Sequence, residues 1–235
     1  LMAPGEYDRI KLSIKMLPSG KTITPTLPDA QRVQRVTLPK APSVGEVVGL
    51  AVTGDHGCIL HFEMQATKGS GRIVPLGSIQ RVMRESIEAA AQYIKAKSDE
   101  LGIDAEWRHN YDVAVLATFM GIPKEGPSAG ICLVAGIVSA LKRLPVRNDL
   151  AMTGEITIMG KVLPVGGIQM KVRAAIDAGV KEVLLPAENM KEAQGLPPSL
   201  LSMVTLTPVQ SIEEVLKRAF AANTPVQSIQ AQTGI

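Results

Sequence analysis

The sequence predicts a mixed α/β (α+β) domain, and three of its features carry that prediction. Strand-like and helix-like segments alternate through the second half of the chain, as in mixed sheets packed by several helices. Short runs of apolar and polar residues in strict alternation mark half-buried strands. Longer segments bounded by capping residues and glycines mark helices. With 235 residues the chain suffices for one large domain or two small ones.

Residues 9–17 alternate Ile10, Leu12, Ile14 and Met16 with Lys11, Ser13 and Lys15, the pattern of a half-buried strand. Pro18-Ser19-Gly20 turns the chain into a second extended piece, Lys21 to Thr26, and four prolines between Pro25 and Pro42 read as a connector. Residues 1–43 are therefore expected to form a β-hairpin and proline-rich connector ahead of a main domain at 44–222. Residues 223–235 are polar and aperiodic and are expected to be a flexible tail.

Strands are expected over 46–53 and 58–65, around a turn at Gly54-Asp55-His56-Gly57. In the second, Cys58, Leu60, Phe62 and Met64 alternate with Ile59, His61, Glu63 and Gln65, and Lys68-Gly69-Ser70-Gly71 ends the unit. Ser78 reads as the N-cap of a helix reaching Leu101 and closed by Gly102, with Met83, Ile87, Ala90, Ala91, Ile94 and Leu101 on one face. Asp112 to Thr118 is an apolar strand. A loop with Pro123, Gly126 and Pro127 follows, then an almost wholly apolar, buried helix from near Ser128 to about Arg143. Residues 150–165 read as short strands turning at Met159-Gly160. Gly166-Gly167 opens a helix that ends at Gly179. A strand at 181–185, a short helix at 188–194 and a strand at 203–206 complete the alternation. Ser211 and Glu214 then form a capping box for the last helix.

Apolar residues make up 46% of the chain and aromatics 3%, so the core must be built from Val, Ile, Leu, Ala and Met. The net charge of +3 is spread along the chain, with no dense basic run interleaved with aromatics, so no nucleic-acid partner is indicated. Cys58 and Cys132 sit in apolar stretches without a CxxC neighbour and read as buried free thiols, which fits a reducing, cytoplasmic compartment. His56, His61 and His109 have no metal-ligand spacing, so no metal is expected. Ile131 to Leu141 is too short to span a bilayer, and no membrane partner is expected. The opening Leu1-Met2-Ala3-Pro4-Gly5 has no signal-peptide pattern and reads as the cut end of a longer chain.

The octet Pro123-Lys124-Glu125-Gly126-Pro127-Ser128-Ala129-Gly130 is the most informative stretch. It puts a serine between a strand-ending loop and the first turn of a buried helix, where unpaired N–H groups and the positive dipole end suit an oxyanion. Small Ala129 and Gly130 leave room for a substrate backbone. Taken alone, Ser128 is more often a helix N-cap than a nucleophile. A serine hydroxyl needs a base, and no histidine is obviously placed to be one. A lysine serves if an apolar site or helix N-terminus lowers its pKa. Lys171, among Ile168, Val172 and Ala174–Ala175, is a candidate, although a lone helix lysine is more often solvated.

Taken together, these residues resemble the Lon protease family. The octet looks like the Lon signature, and so does Met152-Thr153-Gly154-Glu155-Ile156-Thr157 running on through Gly160-Lys161-Val162-Leu163-Pro164-Val165-Gly166-Gly167 to Lys171. Ser128 and Lys171 lie 43 residues apart, the spacing of the Lon Ser–Lys dyad. Gly45–Ala51, the stretch from Gly77-Ser78 to Ile87, and Ala178–Asn189 extend the likeness over roughly residues 45–220.

The resemblance implies a Lon proteolytic-domain fold with Ser128 as nucleophile and Lys171 as general base. It implies that the Thr153 hydroxyl orients the lysine, with Glu155 following in the same motif, and that the backbone N–H groups of Ser128 and Ala129 form the oxyanion hole. Glu155 reads equally well as a charged residue at a strand turn. Glu125 stands where an aspartate is common, a position from which an acidic side chain can reach the lysine in inactive forms.

The sequence departs from the family at Ala114 and Leu116, in place of a His-x-His pair, and at Val52, in place of a tryptophan, and its first forty residues do not match the pattern expected upstream, which points to a divergent Lon-like branch. No Gly-x-x-x-x-Gly-Lys-Ser/Thr motif occurs, so no cofactor is expected in this chain. ATP and Mg are expected only for an ATPase domain acting upstream in cis or in trans. The implied working form is a hexameric homo-oligomeric ring that cleaves unfolded or tagged protein and peptide substrates. The rival expectation is an oligomerisation or substrate-holding module of a larger ATPase with little peptidase activity.

Overall fold

The computed structural model describes residues 38–118 and 124–220. The hairpin expected at 9–26, most of the proline-rich connector, Pro123 and the tail at 223–235 lie outside the described residues.

Strand β1 (Ser43–Val44) gives way to β2 (Glu46–Thr53) at Gly45, whose φ is 78°. Glycine is required there twice over, for the positive φ and because a Cβ would lie 2.0 Å from the Met64 carbonyl oxygen. β3 (His56–Lys68) returns antiparallel to β2, in register from Glu46↔Glu63 to Thr53↔His56. The turn is therefore the two-residue Gly54-Asp55, tighter than the expected four-residue turn, and β3 runs three residues past the expected end at Gln65. β4 (Ile73–Leu76) was not legible in the sequence because its Pro75 argues against a strand; it survives as an edge strand, where a missing N–H costs no ladder bond.

Helix α1 (Arg81–Ala96) does not start at Ser78. Ser78 has a φ of 58°, and Gln80 is the capping residue without a side-chain bond. The chain breaks at Lys97 and resumes as the single turn α2 (Ser98–Leu101), ended by left-handed Gly102 as expected. A short α3 (Trp107–Asn110) leads into β5 (Tyr111–Ala117). Helix α4 (Gly130–Lys142) is buried from Gly130 to Ala140, in accord with its unbroken apolar sequence.

The chain continues through β6 (Pro145–Val146), β7 (Leu150–Met152), β8 (Glu155–Ile156), β9 (Val162–Leu163) and α5 (Ile168–Asp177). It then passes β10 (Glu182–Pro186), a 3-10 turn (Ala187–Asn189), α6 (Met190–Ala193) and α7 (Pro198–Leu201), and ends with β11 (Thr205–Val209) and α8 (Ile212–Ala219). Ser211 caps α8 by accepting from the Glu214 N–H, while the Glu214 carboxylate takes the Gln210 N–H.

Among the described residues a seven-stranded mixed sheet runs β11-β10-β7-β2-β3-β5-β4. The strands β11, β10, β7 and β2 are parallel, β3 is antiparallel to both neighbours, and β4 is parallel to β5. One face of the sheet carries the larger core, where Phe62 and Met64 pack with α1, α4 and α8. The other face carries a smaller core, in which Val48, Leu50 and Ile59 meet Ile168, Val172 and Ala175 of α5. Both faces are covered, which is why Ile59 is buried despite its alternation with Phe62.

Candidate active site

Three segments converge at one end of the parallel strands: the turn before α4, the chain leaving β7, and the first turns of α5. The first is stapled in place from a distance. The Lys124 N–H donates to the Ser78 carbonyl at 3.1 Å, the Gln80 N–H donates to the Lys124 carbonyl at 2.9 Å, and the Val82 N–H donates to Glu125 Oε1 at 3.0 Å. Glu125, 43 residues further along the chain, thus gives α1 the N-terminal acceptor that Ser78 was expected to supply.

Ser128 is half-buried in the turn that follows, and its carbonyl is held by the Gly154 N–H at 2.8 Å and the Thr153 hydroxyl at 3.3 Å. The Ile131 N–H returns to the Gly154 carbonyl at 3.1 Å. The start of α4 is therefore clamped on residues 153–156, and a Cβ at Gly130 would sit 2.9 Å from the Ile156 nitrogen. Gly130 and Ile131 already give their N–H groups to the Pro127 and Gly154 carbonyls; those of Ser128 and Ala129 precede them at the same helix start.

Lys171 is carried by α5, which Gly167 opens in a left-handed conformation (φ 67°). The lysine is 3% exposed. β3 lies hard against the helix backbone here: a Cβ at Gly57 would come within 2.0 Å of the Met170 carbonyl oxygen. Lys171 Nζ donates to Thr153 Oγ1 at 3.2 Å, and Thr153 is fully buried. One hydroxyl thus joins the two segments, accepting from the lysine and donating to the carbonyl of Ser128. Burial pushes the Lys171 pKa down to about 8, opposed by the nearby Cys58 and Glu192, which favour its charge.

Ser128 and Lys171 line a cleft of about 300 Å³. Glu125 and Glu155 border it, and the Pro164–Gly166 segment walls it. Glu155 is half-buried on β8, and Glu125 is exposed. All five side chains singled out in the sequence, Ser128, Lys171, Thr153, Glu125 and Glu155, are thus brought to this one region. A roomier hollow of about 600 Å³ lies between β1, β3, β5 and the end of α4 and includes Ala114 and Leu116, but none of these five residues lines it. Gly57 and Asn189 also bear on the site, a part that their sequence positions did not disclose. Gly57 was expected in the turn before β3 and lies instead within the strand, where its missing side chain permits the close backbone approach, and buried Asn189, the end of the family-like stretch Ala178–Asn189, follows β10 without a role read for its side chain.

The model of the Lon protease (S16) C-terminal proteolytic domain family matches residues 26–222. The chain belongs to this family. It is 45% identical over 174 residues to the Lon protease of Syntrophomonas wolfei, covering 74% of this chain and 21% of that protein. It is 40% identical over 219 residues to the Lon protease of Haemophilus influenzae, covering 91% of this chain and 27% of the relative. Lon protease 1 of Syntrophobacter fumaroxidans is 43% identical over 176 residues, covering 75% of this chain and 22% of that protein. The chain thus spans about a fifth to a quarter of the length of these relatives. The seven-stranded mixed sheet packed by helices is the mixed α/β architecture expected of a Lon proteolytic domain. No helix of the described residues in this Lon-family domain is long and apolar enough to cross a membrane.

Proposed function

We propose that this Lon-family domain is a serine-type endopeptidase working through a Ser128–Lys171 dyad. The observation that carries the reading is the buried Lys171 ammonium bonded to Thr153, whose hydroxyl holds the carbonyl of Ser128. With a pKa of about 8, roughly a tenth of Lys171 is neutral at pH 7, far more than for a solvated lysine near 10.4.

Neutral Lys171 Nζ takes the Ser128 Oγ proton as Oγ bonds to the scissile carbonyl carbon, and the carbonyl electron pair moves onto the oxyanion. The N–H groups of Ser128 and Ala129 bind that oxyanion at the start of α4. The lysine ammonium then gives its proton to the leaving amine as the C–N bond breaks. Water, deprotonated by Lys171, attacks the acyl carbon, and the proton returns to Ser128 Oγ as the ester opens. Thr153 keeps Lys171 aimed across the cleft, and Glu155 and Glu125 border the cleft.

The substrates on this reading are unfolded or tagged proteins. The working form is a hexameric ring in the cytoplasm, fed by an ATPase domain in cis or in trans that holds the ATP and Mg.

The test is covalent labelling of the 235-residue chain with a fluorophosphonate, read by intact mass and peptide mapping. One adduct on Ser128 is expected, lost in Ser128→Ala and strongly slowed in Lys171→Ala. In peptide cleavage both variants should be inactive, and the double variant no worse than either, because the pair acts as a unit. Normal cleavage by a folded Lys171→Ala would sink the dyad. A lack of cleavage by the unmutated chain even when joined to its ATPase would favour an oligomerisation or substrate-holding module.

A further inference from the structure

Asn189 stands behind the cleft and is tied to its wall. It closes the 3-10 turn after β10 and is 6% exposed. Its amide forms two hydrogen bonds with Val165, Oδ1 accepting from the Val165 N–H at 2.8 Å and Nδ2 donating to the Val165 carbonyl at 2.9 Å, and Nδ2 also donates to Glu192 Oε2 at 3.5 Å. This copies the paired N–H and C=O exchange of an antiparallel ladder, with a side chain in place of the second strand.

Val165 lines the cleft that holds Ser128 and Lys171. Its chain neighbours do little to hold it. Pro164 has no N–H to donate, and Gly166 and Gly167 bring no side chain to pack and much conformational freedom to lose. A second tie joins the same two regions, since Gln169 Nε2 of α5 donates to the Glu192 carbonyl at 2.9 Å. Lys171 itself is held differently, by its N–H on the Gly167 carbonyl, by β3 at Gly57, and by Thr153.

We propose that Asn189 is a positioning residue that holds the Pro164–Gly166 wall at the separation from Ser128 that an extended peptide needs, setting substrate affinity and leaving proton transfer to Lys171. The identity of the occupant as a peptide rests on the peptidase reading above. Asn189→Ala strips the half-buried Val165 of both partners, and a backbone group so stripped finds another arrangement. The glycine pair beyond it lets the wall move without unfolding the sheet. Asn189→Asp keeps the acceptor for the Val165 N–H but sets an oxygen against the Val165 carbonyl and beside the Glu192 carboxylate, so it too is expected to release the wall.

The test is binding of a fluorescein-labelled, unstructured peptide rich in Leu and Ala, followed by anisotropy in the Ser128→Ala chain with and without Asn189→Ala. A loss of affinity of about tenfold or more is expected, with both chains melting cooperatively. In the chain that retains Ser128, Asn189→Ala should raise KM by a similar factor and leave kcat and its pH midpoint unchanged. If Asn189→Ala does not fold, Asn189→Asp carries the comparison, again with a loss of affinity. Equal affinity with and without Asn189, no binding in either background, or a fall in kcat with a displaced pH midpoint overturns the proposal. Failure of the unmutated chain to cleave counts against the peptidase reading alone, because the binding comparison is made without the nucleophile.

Discussion

Lys171 has three ammonium protons and, in its buried position, a bond to Thr153 Oγ1. Taking a charged amine out of water favours the neutral form, and here burial outweighs the opposing pull of Cys58 and Glu192. The general base of the proposed dyad is therefore made by its surroundings. Activity should rise with pH through a midpoint near 8, the value to which Lys171 is displaced, because the neutral amine is the working form. Thr153→Val keeps the volume but removes both the acceptor for Lys171 and the donor to the Ser128 carbonyl. It should lower the maximal rate by about 10–100-fold while the domain still melts as a cooperative fold. Initial rates from pH 6 to 10 on both proteins check this. A profile whose only inflection lies near 10.4, that of a free lysine, would count against it.

At the level of elements, α4 is the rigid part on which the serine is mounted. It is buried along almost its whole length between the sheet and the helices α1 and α8, so its start can move only if the core moves with it. Two of its glycines separate function from packing. A Cβ at Gly136 would meet the flexible end of Met64, 2.4 Å from Sδ, and that side chain can turn away. A Cβ at Gly130 would meet backbone, the Ile156 nitrogen at 2.9 Å and the Gly154 carbonyl oxygen at 3.2 Å. Gly130→Ala should therefore push the helix start off residues 154–156, with a cost of about 1–3 kcal/mol and a large loss of activity. Gly136→Ala should retain most of its activity. Thermal melts and peptide cleavage of the two variants check this, and equal activity losses would argue that the mounting of Ser128 is not what Gly130 protects.

Over the whole molecule, the parallel end of the sheet is locked by Glu182 on β10. It is 7% exposed, accepts from Arg147 Nη1 and Thr207 Oγ1 at 2.6 Å each, and has Arg218 of α8 at 3.9 Å. Burial raises its pKa, but the bonds from Thr207 and Arg147 and the nearby guanidinium charges outweigh that, and the carboxylate titrates below its ordinary range. A carboxylate lowered on folding contributes stability above its unfolded pKa of about 4.3 and loses it as the pH falls through the lower folded value. Glu182→Gln should destabilise the domain by about 1–3 kcal/mol at pH 7. Its deficit relative to the unmutated chain should shrink as the pH drops below 4. Urea melts at pH 7 and pH 3.5 measure this, and a deficit independent of pH would assign the cost to shape and not to charge.

Local pattern was enough for what depends on neighbours in the chain. The alternation of β2 and β3, the unbroken apolar run of α4, the glycines that open and close α5, and the Ser211 cap of α8 were all legible because each element reports its own surroundings every two or four residues. The 43-residue interval from Ser128 to Lys171, read beside the motif at Thr153, also pointed to one site, and these three residues do meet at one cleft and hydroxyl. The tertiary structure decided everything held by distant partners. Ser78 looked like a cap, but the acceptor for α1 comes from Glu125. Pro75 hid a strand that exists because β5 supplies its ladder on one side only. Asn189 lay in a family-like stretch but its hold on the cleft wall was not legible, since its two bonds to Val165 cross 24 residues. A side chain's preference for its own backbone is written in sequence, whereas its choice among remote backbone groups is set only when packing brings one of them within about 3 Å.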